Sequence, residues 1–224
     1  MSEKERFTPE QERRVITLED IMDSSRQVPE EYKQLILAQE QRQGDWYLGT
    51  RFVDQWHGFD EFPHARDLLK QRLAGDILVD LGGRTGSFSL AHHQFGVTTY
   101  INVDRDYGDY PVNPLAALNE GDIGDLHKLS VKADMLDFVA RMRDDSANFM
   151  LNGIDFASVP GSERYHEVLA QELVRATKPG GLVFGINATV DHIWREMSDK
   201  APLRDQSLDL PGVIHDSFVY QKPE

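Results

Sequence analysis

From residue 76 onward, short apolar runs alternate with stretches whose apolar residues recur at helical spacing; upstream of it that alternation is absent. Six runs read as strands: 76–81 (DILVDL), 98–104 (TTYINVD), 129–133 (LSVKA), 148–152 (NFMLN), 182–187 (LVFGIN) and 216–221 (DSFVYQ). Such continuous apolarity is what a strand buried on both faces requires, so a mostly parallel sheet covered by helices on either side is predicted. The intervening helices fall at 88–95, 135–142, 163–177 and 189–198. Between 107 and 126, Gly108, Pro111, Pro114 and Gly121 interrupt any long helix, and an irregular insertion carrying only a short helix is expected there.

Upstream the pattern is helical but thin. Thr8 and Pro9 open one candidate helix and Pro29 a second. Only Val15, Ile16, Leu18, Ile21 and Met22 in the first, and Tyr32, Leu35, Ile36, Leu37 and Ala38 in the second, have the character to pack, so both read as an arm laid on something larger. An aromatic-dense stretch follows with Trp46, Tyr47, Phe52, Trp56, His57, Phe59 and Phe62, then a helix over 64–73. The chain therefore divides into an N-terminal helical and aromatic segment, 1–63, expected to act as a lid, and a main domain, 64–224.

Composition narrows the functional classes. The 224 residues, 40% of them hydrophobic, suit one domain with an appendage. Thirty-eight acidic residues against 24 basic ones leave a net charge of −14, a field that repels polyanions, so no nucleic-acid partner is expected. The absence of cysteine removes disulfides, thiolate metal sites and a Cys nucleophile. The opening stretch MSEKERFTPEQERR has no apolar signal core, and no run approaches the ~18 apolar residues that span a bilayer. A cytoplasmic location without a membrane partner is expected. Asp155, Asn187 and Asp191 are an oxygen-rich set that spacing alone does not make into a cation site, and no metal is expected. The chain also lacks an H-E-x-x-H pair, a G-x-S-x-G elbow and a G-x-x-x-x-G-K-[ST] loop.

One local signal carries chemistry. Asp80-Leu81-Gly82-Gly83-Arg84-Thr85-Gly86 follows the first run directly and precedes a helix. Glycines there permit a tight turn and a close backbone approach, and the free N–H groups of a helix start offer donors to a polar or anionic group. Asp104 ends the second run, 18 residues past Gly86, where a carboxylate is placed to accept both hydroxyls of a ribose. A nicotinamide site would instead need G-x-G-x-x-G, a spacing that Gly82, Gly83 and Gly86 do not give.

On these residues the sequence resembles the class I S-adenosylmethionine-dependent methyltransferases over roughly residues 76–221. ILVDLGGRTG resembles the family's first motif and INVD its second, with Asp104 in the ribose-binding position. Asp134-Met135 falls where the family places an acidic residue and an apolar neighbour around the adenine, and VLAQELVRATKPGGLVFGIN resembles its helix, Lys-Pro-Gly-Gly turn and fifth strand. The resemblance implies an α/β fold, a three-layer α/β/α sandwich on a mostly parallel doubly wound sheet with an N-terminal helical extension. It implies S-adenosylmethionine as cofactor, held by Asp80, Gly82, Gly83, Arg84, Thr85, Gly86, Asp104, Arg105, Asp134, Met135 and Asn152.

Three departures qualify the match. Arg84 stands where the family's first motif usually has glycine, and either points away from the cofactor or reaches its carboxylate. Asn148 replaces the usual Asp near the start of the fourth strand, and the loop Asn152-Gly153-Ile154-Asp155-Phe156 is not the Asp/Asn-Pro-Pro-aromatic motif of amino-methylating branches. The implied activity is methyl transfer to an oxygen or nitrogen of a small-molecule acceptor, with a non-catalytic cofactor-binding scaffold as the alternative. Trp46, Tyr47, Trp56, His57 and Asp155 are the candidate acceptor-pocket residues; no residue is assigned as catalytic base, and a homodimer stays open.

Overall fold

The computed structural model describes residues 15–40, 63–83, 95–105, 107–151, 163–186, 204–205 and 217–224. Its centre is an eight-stranded sheet. In chain order the strands are β1 (Ile77–Leu81), β2 (Thr99–Asp104), β3 (Asn119–Ile123), β4 (Leu126–Lys132), β5 (Asn148–Leu151), β6 (Leu182–Ile186), β7 (Arg204–Asp205) and β8 (Ser217–Gln221). They lie in the order β3, β4, β2, β1, β5, β6, β8, β7. The five from β4 to β6 are parallel, and β3 and β8 run antiparallel to their inner neighbours. All six runs read from the apolar pattern are present as strands.

Register explains why the sequence looks as it does. Leu129, Ile101, Val79, Phe149, Val183 and Tyr220 are successive partners across six strands, and all are buried in the main hydrophobic core. The next row, on the other face, reads Ser130, Asn102, Asp80, Met150, Phe184. Side chains alternate faces along a strand, so the first row is apolar across the sheet while the second, on the other face, is polar over β4, β2 and β1.

Helices α1 (Leu18–Ile21), α2 (Glu30–Glu40), α3 (Pro63–Leu73), α4 (Met135–Ala140) and α5 (Glu163–Ala176) complete the described elements. The apolar row shares one core cluster with Leu18 and Ile21 of α1, Leu136 and Phe138 of α4, and Val168, Leu169 and Leu173 of α5. None of the described helices is long and apolar enough to cross a membrane. Helices expected at 88–95 and 189–198 fall outside the described residues, apart from residue 95.

The described part of the N-terminal arm docks at the amino end of the sheet. Met22 bridges to Met142, the Asp23 N–H donates to the Arg141 carbonyl at 2.9 Å and the Arg143 N–H to the Ile21 carbonyl at 2.8 Å. Thr99, first residue of β2, donates its hydroxyl to the Ile16 carbonyl at 3.1 Å. Farther on, α2 is held by the Tyr32 hydroxyl on Glu172 at 3.0 Å and by the Arg164–Glu31 ion pair at 2.9 Å.

Two elements differ from expectation. The described residues between β2 and β4 carry no helix; near the end of this segment lies β3, which forms a hairpin with β4 through a turn at Gly124, φ 61°. Every residue of β3 is exposed, so it has no buried face and no alternation to read. β7, two residues long, is too short for any pattern.

Candidate functional site

In an open parallel sheet, ligands bind beyond the carboxyl ends of the strands where the order reverses. Here that point is β1, with β2 and β4 on one side and β5 and β6 on the other. β1 ends at Leu81, and Gly82 follows with φ 81°, a left-handed angle that glycine adopts without strain. The Gly82 N–H donates to the Val103 carbonyl at 2.8 Å, tying the turn to β2. At Gly83 a Cβ would fall 2.1 Å from the Asp80 Oδ2, so no side chain fits there.

Asp80 lies beneath that turn, wholly buried, with its Oδ2 accepting the Tyr100 hydroxyl at 2.5 Å. Its place is under the loop, where it shapes the turn.

Asp104 closes β2, next to the end of β1, and is buried but for 9% of its surface. Tyr107 comes back over this end of the sheet. Burial pushes its hydroxyl up to about 12, with the Asp104 and Asp80 carboxylates adding to the rise and a hydrogen bond with Ser130 opposing it. The Lys132 ammonium donates to the Gly108 carbonyl and pins the same loop. Nothing in the spacing marked Tyr107 or Tyr100 as site residues; the signal is register, which the sequence does not display.

Asp134 follows β4 and caps α4. Its Oδ1 accepts the Leu136 N–H at 2.8 Å, the Asp137 N–H at 3.4 Å and the Tyr165 hydroxyl at 2.8 Å. Burial holds its carboxyl above the usual carboxylate range, against the lowering pull of those bonds and of Arg105. Tyr165 is raised as well, by burial first and by the Asp134 charge second. Arg105 thus acts between β2 and α4, and Met135 starts the helix half-buried against the core.

Asp80, Gly82, Gly83, Asp104, Arg105, Asp134 and Met135 therefore gather at the ends of β1, β2 and β4. Arg84, Thr85, Gly86 and Asn152, and the acceptor candidates Trp46, Tyr47, Trp56, His57 and Asp155, lie outside the described residues. Asn148 sits at the opposite, amino end. Wholly buried, it donates its amide to the Ile77 carbonyl at 3.0 Å and accepts the Leu182 N–H at 2.9 Å. A carboxylate has no donor for the first bond, which explains the amide at this position.

No family model and no curated protein matches the sequence. Among solved structures, the crystal structure of a putative RNA methyltransferase from Pyrococcus horikoshii aligns over 88% of this chain and 100% of its own, with 13% identity and a TM-score of 0.50. The chain has the fold of the class I S-adenosylmethionine-dependent methyltransferases. A putative methyltransferase from Escherichia coli aligns over 72% of this chain and 84% of its own at 12% identity, TM-score 0.47. Another from Streptococcus mutans, solved in complex with SAH, aligns over 70% and 92% at 10% identity, TM-score 0.45.

This methyltransferase fold corrects one expectation. The absence of a nucleic-acid partner was inferred from net charge and a small-molecule acceptor from the resemblance, yet the Pyrococcus structure with this fold is described as a putative RNA methyltransferase. Net charge sums the whole surface and says little about one end of a sheet. Here Arg105 and Lys132 stand at the ends of β2 and β4, both half-buried among the acidic groups.

Proposed function

We propose that the chain binds S-adenosylmethionine over the Gly82–Gly83 turn and transfers its methyl group to a nitrogen or oxygen of an RNA acceptor. The observation that carries the donor half is the Asp104 carboxylate, at the end of β2 beside the glycine turn of the switch point. Its chemistry fits the group: a carboxylate accepts two vicinal ribose hydroxyls, and a glycine turn lets the backbone approach closely. On this reading Asp134 and Met135 border the adenine, Arg105 balances the carboxylates, and Arg84, Thr85, Gly86 and Asn152 complete the cradle. Asp80 acts from beneath by holding the turn.

When bound, the donor supplies an electrophilic methyl on a sulfonium. The chain's part is to orient the two reactants in line and to exclude water. The Asp80 and Asp104 carboxylates favour the cationic donor electrostatically over its neutral product. Trp46, Tyr47 and Trp56 suit stacking on an unstacked base, with His57 and Asp155 available for proton handling. The RNA acceptor is supported by the description of the Pyrococcus neighbour.

The test is calorimetric titration with S-adenosylmethionine, S-adenosylhomocysteine and NAD, on the native chain and on Asp104→Ala. Binding of both sulfur compounds, weakened about 10- to 100-fold in the variant and absent for NAD, is expected. Transfer of a labelled methyl to total cellular RNA, abolished by prior ribonuclease treatment, is expected in turn. No binding overturns the donor half, label that survives ribonuclease overturns the acceptor half, and binding without transfer to any fraction leaves a cofactor-binding scaffold.

A further inference from the structure

The edge of the sheet at β3 is guarded by charge alone. Natural edges are blunted by charged side chains, proline, bulges or a covering element. Asn119–Ile123 contains neither proline nor lysine, keeps unbroken register with β4 over five pairs, and is exposed throughout. No described strand pairs with its outer side. Six large apolar side chains are exposed among the described residues, and four of them, Tyr110, Val112, Leu115 and Ile123, belong to this insertion. The stretch leading into β3 follows the same edge: the Asn113 N–H donates to the Lys132 carbonyl at 3.0 Å and the Leu118 N–H to the Ser130 carbonyl at 2.7 Å. Val112 and Leu115 therefore flank β3 on one continuous border.

Charge decides what fits there. Glu120 and Asp122 stand on one face of β3, either side of Gly121, with carboxylates 3.1 and 2.9 Å from the two ring nitrogens of His127 on β4. A second copy pairing antiparallel about Gly121 would set Glu120 against Asp122 twice, and like charges directly opposite destabilise a sheet. Nucleic acid is repelled by the same carboxylates, which Asp125 in the following turn reinforces.

We propose that the outer edge of β3 docks an extended segment of a partner protein, alternating basic and apolar residues, which joins the sheet as an added strand. Main-chain hydrogen bonds supply affinity in such pairing and alternate side chains supply choice. Basic side chains lie on the Glu120 and Asp122 face, and apolar ones share the opposite face with Ile123. The proposal stands apart from the donor-site reading and survives or fails without it.

The test uses two short synthetic peptides, one alternating lysine with valine and one alternating glutamate with valine, followed by amide NMR and hydrogen exchange on the full chain. The lysine peptide is expected to bind at up to millimolar concentration and to slow exchange of the 119–123 amides, and the glutamate peptide to do neither. The double variant Glu120→Lys/Asp122→Lys, checked for an unchanged melting temperature, is expected to weaken the lysine peptide about tenfold or more and to favour the glutamate one. Three outcomes overturn the proposal: no protection of these amides by the lysine peptide, equal affinity in the charge-reversed variant, or protection that grows with protein concentration alone, which would make a second copy the occupant.

Discussion

The two faces of the sheet carry different burdens. One face, from Leu129 through Val79 and Phe149 to Tyr220, is apolar from side to side and buried under α1, α4 and α5. The other is mixed: Leu78, Tyr100, Met150 and Phe184 are buried there beside Asp80, Asn102, Ser130 and Asn148, and Phe184 meets Phe95 edge-on at 5.8 Å. Buried Asp80, Asn102 and Ser130 there cost solvation that only hydrogen bonds offset. Stability rests mainly on the first row, and the chemistry on the polar residues of the second. Substitutions in the first row should unfold the chain, and those among the polar residues of the second should change what it binds.

Phe149→Ala is the sharpest way to break that separation. Removing a wholly buried ring from the middle of the apolar row should cost about 3–5 kcal/mol, read from urea unfolding, whether or not ligand is present. A loss below 1 kcal/mol would mean the row is not the stabilising face.

Acid should act on the same face through His166 of α5, a buried imidazole that desolvation lowers from 6.5 to about 4, against the raising effect of Glu163. A depressed folded value means the unfolded chain binds the proton first, so stability is complete above 6.5 and declines as pH falls towards about 4. The decline attributable to this one group is at most about 3 kcal/mol. The His166→Phe variant should show a flatter melting-temperature profile over that window, and an unchanged profile would remove His166 from the account.

On the polar face the effects shrink and become specific. Gly83→Ala drives a methyl onto the Asp80 carboxylate and should cost about 1–3 kcal/mol, with part of the loss recovered in Asp80→Ala/Gly83→Ala. Strict additivity of the two substitutions in thermal unfolding would disprove the contact. Asp104→Ala should change stability by about 1 kcal/mol or less while weakening S-adenosylhomocysteine about 10- to 100-fold, as loss of charge-assisted hydrogen bonds does. A destabilised variant with unaltered affinity would place Asp104 among the structural residues.

Much of the fold was legible because buried parallel strands write continuous apolar runs, and the Pro179-Gly180-Gly181 turn could be placed between α5 and β6 for the same reason. Gly180 there has φ 67°, and at Gly181 a Cβ would come within 2.8 Å of the Lys178 carbonyl, so both glycines are needed. β3 was missed because a strand exposed on both faces has no periodicity, and the prolines and glycines around it argued against any element. In the site, Gly82, Gly83 and Asp104 were readable from spacing, because a turn and a strand end are local features. Tyr100, Tyr107 and Tyr165 were not, since each meets its carboxylate through register or helix docking. The Asn148 substitution looked like a departure until its two hydrogen bonds showed a main-chain tie that needs an amide.

The docking of residues 15–23 on residues 141–143 also fixes an order of events at the ribosome. Synthesis adds about 5–20 residues per second from the N-terminus, so the arm emerges well before its anchor. Until Arg143 leaves the exit tunnel, the Ile21 carbonyl has no N–H to receive, and Leu18, Ile21 and Met22 have only part of their core to enter. The earliest-made part of the described chain is thus fastened only after most of the parallel sheet has been made, and for that interval its apolar side chains are open to any chaperone that waits at the tunnel mouth.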